Sequence, residues 1–261
     1  MFLDYPATFW VLATVSVVFV GIAKAGFGGG VGVVATPLIA LTIPVSDAAA
    51  ILLPLLIVCD VFAVAHYRRT FDRRSIQLLI PGAAVGIGVG AGFFSYFATN
   101  ERVLQVGLGV LASFFVLYQL VRGFLTKAIE KRHPHGAEGI LMGALSGFTS
   151  TLAHAGGPPA TIYLLPQKLP RETFVGTTVV FFAAVNQMKL IPYIGLDLLT
   201  VDHLGTIAVL APLSYVGVRI GIYMNARFTD VWFNRIVYSV LLVTGIQLIV
   251  GKSLIALVFG S

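Results

Sequence analysis

Four ionisable side chains, Lys24, Asp60, His154 and Lys189, stand inside long apolar runs of the chain. Charge in a hydrocarbon setting is costly, so such residues mark a ligand pathway or a proton relay by default. Lys24 lies just before Gly26-Phe27-Gly28-Gly29-Gly30, and His154 lies in the matching place before Gly156-Gly157-Pro158-Pro159. An ammonium there can pair with a bound anion or with a carboxylate, and an imidazole can hydrogen-bond an anion or carry a proton near neutral pH. Asn186 and Lys189, at i and i+3, fall on one helix face, although Lys189 is near the end of its run, where a lysine can also snorkel. Asp60 reads as a counter-ion for Arg219 or as a proton carrier, with His154 the other candidate for proton coupling. The hydroxyls of Thr36, Ser150 and Thr151 add donors. Bland readings compete: Gly86, Gly88, Gly90 and Gly92 suit close helix packing, Arg219 can reach an interface, and Cys59 reads as core.

The elements that hold these residues follow from composition. Of 261 residues, 57% are hydrophobic and 11% charged, and the mean hydropathy is +0.94. An ordinary aqueous fold is excluded; the pattern is an all-α polytopic membrane protein. Apolar runs fall at about 7–25, 31–43, 48–66, 75–98, 103–121, 139–153, 157–166, 173–191, 204–224 and 231–250. A span needs about 20 apolar residues, which allows about eight transmembrane segments, or ten if interrupted helices count separately. Residues 7–43 as one helix would reach about 55 Å, far beyond a hydrocarbon core of about 30 Å. That run must break at its glycine cluster, and 139–166 must break at Gly156-Gly157-Pro158-Pro159.

Two repeating halves follow. Pro81, Gly86 and Gly90 recur 131 residues later as Pro212, Gly217 and Gly221, and Thr70 and Asp72 recur 130 later as Thr200 and Asp202. The division is a first repeat over 1–126, a cytoplasmic linker over 127–138 and a second repeat over 139–261, each repeat starting with a glycine-broken helix or hairpin. If both interrupted runs turn back, Arg68, Arg69, Arg73, Arg74, Arg122, Lys127, Lys131, Arg132, Lys168, Arg171, Arg227 and Arg235 share one side, against Arg102 and Lys252. If each crosses once, the division is nine against five. Basic residues gather on the cytoplasmic side, so the count favours inverted repeats. Helices would then restart near Val31 and Pro158 with free N–H groups and positive dipole ends facing the centre. An anion is the natural guest, held by Lys24, Gly26, Gly28, Gly29, Gly30, Thr36, Ser150, Thr151, His154, Gly156, Gly157, Pro158, Asn186 and Lys189.

Other classes are disfavoured. The net charge of +6 lies between apolar runs and is a topology signal, so no nucleic-acid partner is implied. There is no HExxH, GxSxG or CxxC, and Gly245…Gly251-Lys252-Ser253 has five residues between its glycines where a phosphate loop has four. No enzyme, metal site or cofactor is expected. His133 and His135 in the linker make only a weak metal pair, and Cys59, the single cysteine, allows no internal disulfide. The first run lacks a preceding basic residue, unlike a signal peptide, and is read as retained.

The stretches Gly21-Ile22-Ala23-Lys24-Ala25-Gly26 through Gly30 with Pro37, Gly147 through His154 to Pro159 with Tyr163 and Pro166, and Gly176-Thr177-Thr178 through Asn186 and Lys189 to Pro192-Tyr193 resemble the TauE/SafE family of sulfite exporters. The resemblance covers nearly the whole chain. It implies a bacterial inner-membrane, multi-pass secondary transporter of sulfite or organosulfonates, with a lipid bilayer around it, protons as a candidate coupling ion and a homo-oligomer as a candidate assembly. Two alternatives stay open: a permease of the same fold for another small solute such as a carboxylate, and a membrane subunit that binds a partner or lipid head group without transport.

Overall fold

The computed structural model describes residues 5–27, 32–97, 100–129, 134–227 and 230–251. Gly28, Gly29, Gly30, Val31, Lys131, Arg132, His133, Lys252 and Ser253 lie outside the described residues. Among the described residues ten α-helices follow in order: α1 (Ala7–Phe27), α2 (Ala35–Ile39), α3 (Val45–Tyr67), α4 (Arg73–Phe97), α5 (Glu101–Ile129), α6 (Gly136–Ala153), α7 (Gly157–Leu164), α8 (Arg171–Gly195), α9 (Leu204–Arg227) and α10 (Asp230–Val250). No strand occurs among the described residues. In a bilayer a helix satisfies its own backbone polar groups, which is why these apolar runs all take this form.

Among the described residues, six helical segments are long and apolar enough to cross a membrane: Ala7–Phe27, Val45–Tyr67, Arg73–Phe97, Glu101–Tyr118, Arg171–Gly195 and Val201–Ala226. The first ends at Phe27, in the glycine cluster where the sequence puts the break. At 21 residues α1 is about 32 Å long, so it spans by itself and its break falls at the end of the span. The second interrupted run divides into α6, 18 residues, and α7, eight residues. The helix α5 also continues to Ile129, into the stretch expected as linker.

Hydrogen bonds fix which helix ends share a side. At one end, Val45 N–H donates to Glu101 Oε1 at 2.9 Å, Arg102 donates to the Leu248 carbonyl at 2.9 Å, and the Tyr5 hydroxyl lies 3.4 Å from His203 Nδ1. At the other, Asp72 N–H donates to the Thr177 hydroxyl at 2.8 Å, the Ser75 hydroxyl to Gln167 Oε1 at 3.1 Å, and Arg171 Nε to Asn225 Oδ1 at 2.6 Å. Arg68, Arg69, Arg73, Arg74, Lys168 and Arg171 therefore lie at one end, the basic end. Both α1 and α3 finish there, since the Tyr67 hydroxyl donates to the Ala25 carbonyl at 2.8 Å. The segment joining α1 to α3 therefore turns back across the bundle, and so does the segment from α6 to α8.

Helix α1 packs on α9 and α4 on α6; α3 packs on α9 and α4 on α8; α3 faces α8 and α5 faces α10. The set of pairings is unchanged when the first five helices exchange with the last five: α1–α9 becomes α4–α6, α3–α9 becomes α4–α8, and α3–α8 and α5–α10 map onto themselves. The closest approaches are made by glycines. A Cβ at Gly86 would collide with the Ala144 carbonyl, and one at Gly26 would lie 2.8 Å from the Gly221 carbonyl. Small residues let membrane helices meet backbone to backbone, where dispersion contacts hold them together. Gly88 and Gly92, expected to pack likewise, have nothing within 4 Å and face outward from α4.

Candidate functional site

Side chains from α1, α3, α6 and α8 converge on one buried polar cluster. Lys24, in the last turn of α1, forms an ion pair with Asp60 on α3, Nζ to Oδ1 2.5 Å. Its ammonium also donates to the Leu56 carbonyl at 3.2 Å. The other carboxylate oxygen of Asp60 accepts from Asn186 Nδ2 at 2.7 Å, which carries the network to α8. Arg219, the counter-ion expected for Asp60, is exposed on α9. The correction has a simple cause: Asp60 faces the bundle interior, where Lys24 is the cation within reach.

One turn along α8, Lys189 is fully buried, at 0% exposure, so it does not snorkel. Its ammonium donates to the Ser150 carbonyl at 3.2 Å, to the Ser150 hydroxyl oxygen at 3.1 Å and to His154 Nδ1 at 2.7 Å. His154 Nε2 lies 3.0 Å from the Ala49 carbonyl. A carbonyl only accepts, so Nε2 carries the imidazole hydrogen and Nδ1 offers its lone pair to Lys189. The ring is thus neutral with both nitrogens engaged. His154 holds this position because it ends α6 in the left-handed conformation, φ 52°, a backbone region that non-glycine residues seldom adopt.

Not every expected donor faces the centre. The Thr36 hydroxyl donates to the Ala153 carbonyl at 2.8 Å, and the Thr151 hydroxyl donates to Gly147 in its own helix at 2.9 Å; both protons are committed to backbone. Gly26 packs against α9. Pro158 and Pro159 occupy early positions of α7 and have no N–H, so the start of that helix offers fewer donors than a free helix terminus would. Gly157 and Ser150 do face a small cavity, about 30 Å³, which Val20, Lys24, Leu56, His154, Phe182 and Asn186 also line. That volume holds about two waters at 10–15 Å³ each. Ser150 receives a hydrogen bond from Lys189, so its own proton can turn to a guest.

Several residues were not singled out in the sequence. The Ser146 hydroxyl donates to the Gly156 carbonyl at 2.6 Å, which satisfies a carbonyl that the α6 break would otherwise leave unpaired. The Thr149 hydroxyl donates to the Leu145 carbonyl of its own helix at 2.8 Å. Tyr193 donates to the Thr151 carbonyl at 2.8 Å, as Tyr67 does to Ala25. A signal existed: Asp60 and Asn186 are 126 residues apart, and so are Tyr67 and Tyr193, Ala25 and Thr151, and Pro44 and Pro170. The 130 to 131 spacing read from the glycines belongs to the later helices and hides this one.

Among known proteins, a family model described as Sulfite exporter TauE/SafE matches residues 13–248. No curated protein and no solved structure matches the chain.

Proposed function

The chain belongs to the sulfite exporter TauE/SafE family, and from that premise we propose that it carries a small sulfur oxyanion through the cavity lined by Lys24, Ser150, His154 and Asn186, with Lys189 behind Ser150 and His154. The family is one of membrane transporters, and the apolar helices make this chain a multi-pass membrane protein. The observation that supports the finer reading is the charge balance around the cavity. Asp60 neutralises Lys24, whereas the hydrogen bonds of Lys189 end on a carbonyl, a hydroxyl and a neutral imidazole. With Lys189 protonated, one buried positive charge is left for a guest. An anion compensates it; a neutral solute leaves it uncompensated, which is costly at membrane depth.

The size of the cavity favours a compact oxyanion such as sulfite over an arenesulfonate. Lys24, Lys189, the Ser150 hydroxyl, the Asn186 amide and the Gly157 N–H are the donors assigned to it, with His154 orienting Lys189. The helix pairings and the shared 126-residue spacing support a duplicated, inverted unit whose halves rock about this centre. The basic end is assigned to the inside because basic loops favour that side, and the family resemblance supports the bacterial inner membrane as the location. Protonation of Asp60 would release Lys24 to the anion, which couples one proton to one oxyanion and gives Asp60 the carrier role. Competition tests the substrate class. Uptake of labelled sulfite by proteoliposomes should be inhibited more by excess methanesulfonate than by toluenesulfonate, and least by acetate. Strongest inhibition by acetate would replace this reading with the carboxylate permease.

A further inference from the structure

We infer that Tyr67, Asn225 and Arg171 form the gate of the basic end, and that Tyr67 ties this gate to the cavity. The inference rests on the transport reading for its purpose but on hydrogen bonds for its parts. Arg171 Nε donates to Asn225 Oδ1 at 2.6 Å, Asn225 Nδ2 donates to the Tyr67 hydroxyl at 2.8 Å, and that hydroxyl donates to the Ala25 carbonyl at 2.8 Å. Four helices, α8, α9, α3 and α1, are joined by one directional chain. It runs from exposed Arg171 inward to Tyr67, which is 1% exposed, and ends on the residue next to Lys24. Tyr67 is a positioning residue: it fixes the turn of α1 that presents Lys24 to the cavity.

The far end is built differently. Tyr193 repeats the tyrosine bond, to Thr151, the residue next to Ser150. Yet the position 126 residues before Arg171 is Val45, each residue opening a helix after a proline, Pro170 or Pro44. The position 131 before Asn225, at the spacing that relates Gly221 to Gly90, is Phe94. Neither side chain can extend a hydrogen-bonded chain from Tyr193. Beside Val45 lies an apolar cavity of about 190 Å³, with Phe93, Leu104, Phe148 and Ala153 among its walls. The basic end thus carries a hydrogen-bonded chain that reaches the tyrosine beside the cavity and must break, while the bonds of the far end, Val45 to Glu101 and Arg102 to Leu248, do not include Tyr193. The structure is the state closed at the basic end, and leaving it requires Tyr67 to release Ala25.

Accessibility tests this without any transport assay, so its failure would leave the sulfite reading untouched. The lone cysteine is removed (Cys59→Ala) and Leu56→Cys places a thiol in the cavity wall. A membrane-impermeant maleimide is then applied to vesicles of either orientation. Tyr67→Phe, which removes a single oxygen, and Asn225→Leu should each speed labelling from the basic end by about fivefold, the population shift expected from one lost hydrogen bond. Tyr193→Phe should leave the rate from that end unchanged. Tyr67→Phe keeps the test readable if Asn225→Leu does not fold. Unchanged rates in folded Tyr67→Phe protein, or an equal rise from both faces, would overturn the gate.

Discussion

The Tyr67 hydroxyl donates to the Ala25 carbonyl and the Tyr193 hydroxyl to the Thr151 carbonyl, each at 2.8 Å and each across 42 residues of chain. The two bonds hold the turns that carry Lys24 and Ser150, which both line the cavity. The two bonds bring two different groups to one site: a cation from α1 and a hydroxyl from α6.

The Lys24–Asp60 pair predicts unequal effects for its two members. Lys24→Met strands a buried carboxylate and should cost about 3–5 kcal/mol of stability, so loss of flux in that variant alone would not identify a substrate ligand. The double variant Lys24→Met with Asp60→Asn removes both charges and should regain most of that stability in a thermal-unfolding assay while flux stays lost. A double variant no more stable than Lys24→Met would contradict the pairing.

Asp60→Asn alone leaves Lys24 without its carboxylate. Bound sulfite should then raise its melting temperature by more than it raises the parent's, because the anion supplies the missing charge. Its flux should lose its response to a pH gradient. An Asp60→Asn protein that is driven as strongly as the parent would remove Asp60 from proton coupling.

Orientation is tested at Lys168. It shares an end with Arg68 to Arg74, so a cysteine there, in a Cys59→Ala background, should resist an impermeant reagent added outside intact cells and react in inside-out vesicles. Labelling from outside would place the second half the other way round.

Gly86 and Gly88 make a matched pair on α4. A valine at Gly86 meets the Ala144 carbonyl and must push α6 away, whereas one at Gly88 meets nothing within 4 Å. Gly86→Val should abolish monodisperse elution in detergent and Gly88→Val should leave it intact. Similar elution of the two would deny the backbone contact between α4 and α6.

The helical class and both interrupted runs were legible in the sequence because hydropathy and helix length, set against bilayer thickness, leave few choices. So were Lys24, His154, Asn186 and Lys189, since ionisable or amide groups in such runs are rare. Their partners were not legible. Asp60 met Lys24 and not Arg219 because helix rotation, which spacing along one helix does not reveal, decides which side chain faces inward. His154 looked like the counterpart of Lys24, yet Gly21 and Gly147 are 126 residues apart, and that register sets Lys24 opposite Ser150. The hydroxyl of Thr36 was drawn to the Ala153 carbonyl at the end of α6, a demand visible only once that end has a place, and that of Thr151 to the Gly147 carbonyl one turn back in its own helix.

Flux through Lys189 tests the account most directly, because that residue supplies the uncompensated charge and its removal strands no carboxylate. Proteoliposomes holding parent protein should take up radiolabelled sulfite saturably, and Lys189→Met protein, equally monodisperse, should fall to the level of empty liposomes. Parent-like uptake by folded Lys189→Met protein would contradict the central claim.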